Sequence, residues 1–315
     1  MGNENNKNKN QLLNIKNIST LNIHENAVND MIFYEEKYLI SVSKDKSLKI
    51  TDLLEMRPKM EITDLHSAQI TFITEMKSKN LISCGDDKKI VIFNVDLKAK
   101  THKILHRITH AHDSGITKVA EVFDNKILSV SFDKQIIFWE LDEIKNEFFK
   151  SICVTEKAFV YDVLMLNNNE FVVCTEKLEI NFYEFANNEI RKISTINNIE
   201  ISFWHNILFK FSEKILLIGG VNCIFVVDLI EYKCIDLIES EFWIFCFCKL
   251  NESFFLTGDL FHIKLWKFEH NKIRFQAQKK IHNKSVSKIL FNEKILISAS
   301  FDNLIKIFDA KEIFI

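Results

Sequence analysis

An all-β fold, a propeller of seven four-stranded antiparallel blades, is predicted for this 315-residue chain by three observations. One phrase recurs seven times: an apolar strand, a polar turn, a second apolar strand with a small residue near its end, an acidic turn and a third apolar strand. The second and third strands of that phrase read YLISVSKDKSLKITD in the first copy and ILSVSFDKQIIFWE in the third. The copies close on Thr51, Phe93, Trp139, Tyr183, Val227, Trp266 and Phe308, spaced 42, 46, 44, 44, 39 and 42 residues apart. A period in the low forties built from strands is that of propeller blades. Polar turns before the second strands repeat in step, among them Glu35-Glu36-Lys37, Asp124-Asn125-Lys126, Ser212-Glu213-Lys214 and Asn292-Glu293-Lys294. With six glycines and one proline in the chain, such residues must make the turns. Asn and Asp do so by tolerating left-handed backbone angles.

The elements follow in order. Residues 1–10 read as a disordered Asn/Lys tail, and residues 11–315 as a single propeller. First strands are expected to begin at Val28, Ile70, Ile116, Val160, Trp204, Trp243 and Val286. Second and third strands are apolar on both faces, as in sheets packed between two neighbours, whereas outer strands such as 103–108 are half-polar. The seventh copy runs out soon after its third strand, and residues 18–23 have no blade of their own. They are expected to supply the outer strand of the last blade and so remove an unpaired edge.

Composition narrows the partners. A hydrophobic content of 47% is ample for a core, and repeat arrays grow by adding units rather than by enlarging one core. A net charge of −2 and a pI near 6.6 give no general attraction to nucleic acid or anionic membranes, so neither is expected as a partner. The seven cysteines, Cys84, Cys153, Cys174, Cys223, Cys234, Cys246 and Cys248, are scattered through strands and read as reduced, buried thiols. The polar start lacks a secretory pattern, no apolar run of about 18 residues spans a bilayer, and the Met1-Gly2 start has Asn6 where a myristoylation signal wants Ser or Thr. A cytoplasmic or nuclear setting is expected.

In the third copy, His112, Ser129, Asp133 and Trp139 stand at a spacing repeated by His24, Ser41 and Asp45, by His66, Ser83 and Asp87, and, one residue tighter, by His282, Ser298 and Asp302. With this spacing the chain resembles the WD-repeat (WD40) β-propellers over nearly its whole length. In that family such a set locks a blade, and the resemblance implies a structural tetrad in the third blade and partial tetrads in the first, second and seventh. Blades four to six depart: they have Glu156, Glu200 and Glu239 where His is expected, and Lys177, Val221 and Leu260 where Asp is expected. Their polar locks are therefore expected to be absent.

A His–Ser–Asp set also suggests a hydrolase, but four copies in register without a strained nucleophile turn argue for locking instead. His102, His106, His110 and His112 crowd one stretch without a carboxylate or thiol at metal-site spacing, and Cys246 and Cys248 lack a second ligand pair; no metal or cofactor is expected. Three and four residues after the His-equivalent position, aromatics occur only in blades four to six, where the pairs contain Phe159, Phe203-Trp204 and Phe242-Trp243. In the WD-repeat family this rim commonly receives partners, so Phe159, Phe203, Trp204, Phe242 and Trp243 form the candidate partner-binding rim. The bland alternative is that these rings fill volume left by the lost locks.

The resemblance implies a non-enzymatic scaffold or adaptor, a monomeric propeller inside a hetero-complex, binding proteins or peptides at the rim and channel mouth. Two other readings compete. A reader of a modified peptide such as a histone tail would hold a cationic side chain against the aromatics. A propeller enzyme would need convergent groups on the inner strands, where Asp30, Lys118, Asp162 and His205 stand without a chemical motif. A cullin-ligase receptor is disfavoured, since the positions where such receptors carry Arg hold Leu54, Asp96, Asp142, Ala186, Ile230, Glu269 and Lys311.

Overall fold

The computed structural model describes residues 13–311 and 313, apart from 124–125, 177–178, 187–188 and 197–206. Among them, 28 strands form seven four-stranded antiparallel sheets with no helix, so no helix is long and apolar enough to cross a membrane. Six sheets are consecutive, covering 28–62, 70–108, 116–155, 160–196, 207–239 and 246–280. The seventh joins Val286–Phe291, Ile295–Ser300 and Ile305–Asp309 to Lys16–Leu21. These are the blades of a seven-bladed β-propeller, its last blade completed by the N-terminal strand.

That strand pairs Lys16 with Asp309 and Leu21 with Ile305, two residues earlier than the expected 18–23. The shift has a packing cause: Leu13 and Ile15 are 3% and 1% exposed and join the core of the sixth and seventh blades. First strands begin as expected at Val28, Ile70, Ile116, Val160 and Val286. In the sixth blade the strand starts at Cys246 rather than Trp243, and Trp204 lies outside the described residues.

The chain forms two compact units. Within Asn29–Leu208, apolar clusters lie between blades: Ile40, Val42 and Ile50 pack with Ile70, Val91 and Phe93, and Phe138 of blade three packs with Phe171 and Phe185 of blade four. Burial of each such side chain contributes roughly 1.5–3 kcal/mol. Second strands such as Leu81–Gly85 are wholly buried, and outer strands such as Thr101–Ile108 are half-exposed. Within Met1–Val28 and Phe209–Ile315, the corresponding cluster joins Leu256 and Ile263 to Val286, Ile289 and Phe308.

Two irregularities recur and were not visible in the sequence. At the closing residue, the pairing of third and outer strands slips at Ile50/Thr51, Ile92/Phe93, Phe138/Trp139, Phe182/Tyr183, Val226/Val227 and Leu265/Trp266. The first strand slips against the second at Ile70/Phe72, Ile116/Lys118, Val160/Asp162 and Val286/Lys288. A bulge re-aims one side chain, and the bulged hydroxyls of Thr71, Thr117 and Ser287 donate to the carbonyls of Ile116, Val160 and Val28 at 2.6, 3.1 and 2.5 Å. Each acceptor is the opening residue of the next blade's first strand. The bulges therefore link neighbouring blades by hydrogen bonds.

Turn chemistry follows the expectation that residues other than glycine make the turns. Left-handed backbone is carried by Glu35, Glu36, Lys79 and Glu293 before second strands, and by Lys46, Lys88, Lys134 and Asn303 after them. No described glycine has positive φ. Lys and Glu, as well as Asn, make these turns.

Candidate functional site

The predicted lock of blade three is assembled. His112 Nδ1 lies 2.9 Å from Asp133 Oδ2 and Nε2 lies 2.7 Å from Ser129 Oγ, which accepts from Trp139 Nε1 at 2.9 Å. One direction satisfies every group: indole N–H to serine oxygen, serine O–H to Nε2, and Nδ1–H to carboxylate, with a neutral imidazole. The carboxylate also accepts from the amides of Asp113 and Gln135. His66, Ser83 and Asp87 repeat the chain at 2.9 and 2.9 Å, and His282, Ser298 and Asp302 at 2.8 and 3.0 Å. His24 and Ser41 are buried, and Asp45 binds the amide and hydroxyl of Ser47.

Burial pushes the Asp87 carboxyl up, but the bond from His66 and the amides of Ser67 and Lys89 outweigh it and hold the group at about 2. Against the same effect of burial, Asp133 is held below the ordinary range by His112 and by neighbouring amides, and Asp302 by the Asn283 amide and His282. Burial pushes His282 down. With histidines 2–4% exposed and serines 0% exposed, these sets have no access for a substrate. They hold blades.

Blades four and six correct the expectation of absent locks. Buried Glu156 accepts from the Tyr183 hydroxyl and from Asn181 Nδ2 at 3.0 Å, while Lys192 Nζ stands 3.4 Å from its other oxygen. A phenol at the closing position reaches the Glu directly, so no serine relay is needed. In blade six Trp266 Nε1 donates to Thr257 Oγ1 at 2.8 Å, and buried Asp259 accepts from the Phe261 and His262 amides and pairs with buried Lys264 at 3.0 Å. The carboxylate sits at Asp259, one residue before the Leu260 position where it was sought.

The inner-strand polar residues are also occupied by structure. Asp30 Oδ2 accepts from Ile73 N at 3.2 Å. Asp162 Oδ2 accepts from Leu208 N at 2.9 Å, and its Oδ1 pairs with Lys118 at 2.5 Å. Both carboxylates join one blade's first strand to the next. His205 lies outside the described residues.

Among the clustered histidines, His102 pairs with Asp64 at 3.0 Å, His106 packs edge-on to Phe148 at 5.2 Å, and His110 occupies a left-handed turn position. Five cysteines are buried, but Cys153 and Cys234 are exposed, which corrects their reading as buried thiols. Burial pushes the thiols of Cys84, Cys223 and Cys248 up to about 12.

The aromatic rim divides between the units. In Asn29–Leu208, Phe159 is 36% exposed, and Phe132 stands edge-on to Phe159 at 6.1 Å and to Tyr161 at 5.7 Å. Lys134 Nζ lies over the Phe159 ring at 5.8 Å. In Phe209–Ile315, half-buried Phe242 packs with Phe261 and His262, both at 6.2 Å, over Lys264 at 5.4 Å. Half-buried Trp243 meets Phe245, which meets Phe301 of blade seven, both at 6.1 Å. Phe203 and Trp204 lie outside the described residues. Sequence reasoning missed Phe132 and Phe301, although each directly precedes a lock aspartate, Asp133 or Asp302, at a position that faces the neighbouring blade's strand start.

Comparison with known proteins agrees with this geometry. The family described as WD domain, G-beta repeat (WD40) matches residues 15–52 and 103–140. A crystal structure of the RRP9 WD40 repeats superposes with a TM-score of 0.75 at 14% identity, covering 94% of this chain and 99% of that one. No curated protein matches. Two stretches of the chain thus match the WD40 repeat, and the fold is that of a seven-bladed propeller, which by itself does not fix a function.

Proposed function

We propose that this chain is a non-enzymatic interaction scaffold, a monomeric propeller within a multiprotein assembly of the cytoplasm or nucleus, which binds proteins or peptides through its aromatic rim. The observation that carries this reading is the partial exposure of Phe159 amid Phe132 and Tyr161, because aromatic side chains accessible on one side are the residues that anchor interfaces. The half-buried rings of Phe242 and Trp243 support it in the second unit. An enzymatic reading loses its inner-strand groups, since Asp30, Asp162 and Lys118 are engaged in bonds between blades.

The test is affinity purification of the tagged protein with quantitative mass spectrometry, alongside a Phe159→Ala/Phe242→Ala variant whose melting curve shows that it is folded. Selective loss of a partner is expected. Recovery of the same partners in unchanged amounts by the folded variant would refute the rim as the binding surface.

A further inference from the structure

We infer that, within Asn29–Leu208, the strip formed by Asp86, Phe132, Phe159, Tyr161 and Glu176 receives a basic segment of a partner protein, taking arginine or lysine side chains between its carboxylates and rings. The inference rests on the scaffold reading and names the chemistry of the partner.

Three neighbouring blades build the strip from equivalent positions. The residue directly after each second strand differs in type: blade two offers Asp86, blade three Phe132 and blade four Glu176, each with its amide bonded to the carbonyl three residues after the lock position, on Gln69, Gly115 and Phe159, at 3.0, 3.2 and 2.9 Å. An acid, an aromatic and an acid therefore follow one another across the same ends of adjacent sheets. Gln69 Nε2 holds Asp86 Oδ2 at 2.5 Å. The other oxygen lies against Gly115, where an added Cβ would come within 2.6 Å of it. Glycine at that point leaves room for the carboxylate beside Phe132, whose amide bonds the Gly115 carbonyl.

The rings are placed by the backbone irregularity of blade four. Tyr161 occupies the bulge that in blades two and three aims Thr71 and Thr117 at the following blade. Its ring instead meets Phe132, which also meets Phe159, both at interplanar angles near perpendicular, 76° and 77°. Burial raises the Tyr161 phenol and the charge of Glu176 raises it further, so that carboxylate stands within electrostatic reach of the ring.

A ligand cation suits this strip on two counts. Aromatic faces attract ammonium and guanidinium groups, and the chain's own Lys134 already stands over Phe159. Carboxylates flanking the rings supply the opposite charge, while the long stem of Arg or Lys covers the exposed edge of Phe159. Lys134 is then a competitor for the incoming cation, and its removal has a sign that separates this inference from an anion-binding one.

The experiment measures fluorescence polarisation of the full chain with a labelled arginine-alanine repeat peptide, and with glutamate-alanine and serine-alanine peptides of equal length. Only the arginine peptide is expected to bind, more weakly as salt is raised. Asp86→Lys/Glu176→Lys is expected to weaken it by about tenfold or more, and Lys134→Asn, which preserves a left-handed turn residue, to strengthen it about two- to fivefold. Melting curves check that the variants are folded. Equal binding of the serine peptide, an unchanged affinity after charge reversal, or weaker binding by Lys134→Asn would overturn the inference. If no peptide binds while Phe159→Ala/Phe242→Ala still strips a partner in the purification, the scaffold reading stands and the basic partner is refuted.

Discussion

Ser129 and Thr51 show what a single polar residue does in this fold. Ser129 accepts from an indole and donates to an imidazole, so its burial leaves nothing unsatisfied. Thr51 occupies the Trp139 position in blade one, is 0% exposed, and its hydroxyl has no partner among the described residues. A buried hydroxyl without a partner costs about 1–3 kcal/mol, and an apolar group of the same shape removes that cost. Thr51→Val is therefore expected to raise stability by about 1 kcal/mol in denaturant titration; a loss of stability would show that the hydroxyl is bonded. Asp87 gives a pH dependence. Its folded pKa of about 2 lies below the unfolded 3.8, so its contribution, about 2 kcal/mol, is fully present above pH ~4 and is lost as pH falls through ~2. Asp133 and Asp302, also lowered, add to the loss in the same direction. Asp87→Asn is expected to be less stable at neutral pH but to lose less on acidification from pH 4 to 2, and parallel curves for both proteins would contradict this assignment.

At the scale of the element, the turn after each lock-bearing second strand is one unit built four times. Ser43, Gly85, Ser131 and Ser300 accept through their carbonyls from Lys46, Lys88, Lys134 and Asn303, all at 3.2 Å, and the donor residue has φ between 65° and 72°. A lysine at such angles crowds its Cβ against the backbone, at a cost of roughly 1–2 kcal/mol that glycine avoids, less what glycine loses in the unfolded chain. Lys88 is exposed and makes no side-chain contact needed by the lock. Lys88→Gly is expected to raise stability by about 0.5–1 kcal/mol, read best in denaturant titration because in a chain of this length it moves the thermal midpoint by only about 1 °C; a loss of stability would mean that the side chain is worth more than the strain. This turn was legible in the sequence because a carboxylate must meet imidazole and amides at fixed spacing, which restricts residue type. The bulges were not, because the unpaired residue beside the closing position is Lys59, Leu105, Ser151, Ile193, Ile235 or Gln276. Backbone geometry there imposes no residue type. For the same reason Phe159 was visible as a rim residue, whereas Phe132, which meets it through turn geometry, and Tyr161, which meets Phe132 through the bulge, were not. The replacement lock of blade four was missed because Glu156 acts through a different partner, Tyr183, rather than through a serine.

At the scale of the molecule, the last blade joins segments nearly 300 residues apart in sequence, and its stability depends on the N-terminal segment. Lys16–Leu21 covers the edge of Ile305–Asp309, with a slip at Ile18 that leaves this isoleucine 50% exposed. Before the strand, Leu13 N donates to Gln278 O at 3.0 Å, and the ammonium of Lys279 binds the Ile15 carbonyl, so the segment also fastens the outer strand of blade six. Leu13 and Ile15 supply apolar contact to both blades. Large-to-small substitution at such sites costs about 2–5 kcal/mol. Ile15→Ala is therefore expected to lower stability by about 2–4 kcal/mol, and deletion of residues 1–24 by more, since it exposes the ladder of Ile305–Asp309 as an open edge prone to association. Substitution of exposed Ile18 by Thr should change stability by less than about 0.5 kcal/mol and serves as the control. Urea titration and size-exclusion chromatography of the three variants separate packing from edge protection: Ile15→Ala weakens the fold without oligomers, while the deletion does both. A deletion that melts at the temperature of the intact protein and stays monomeric would show that the first strand is dispensable to the last blade.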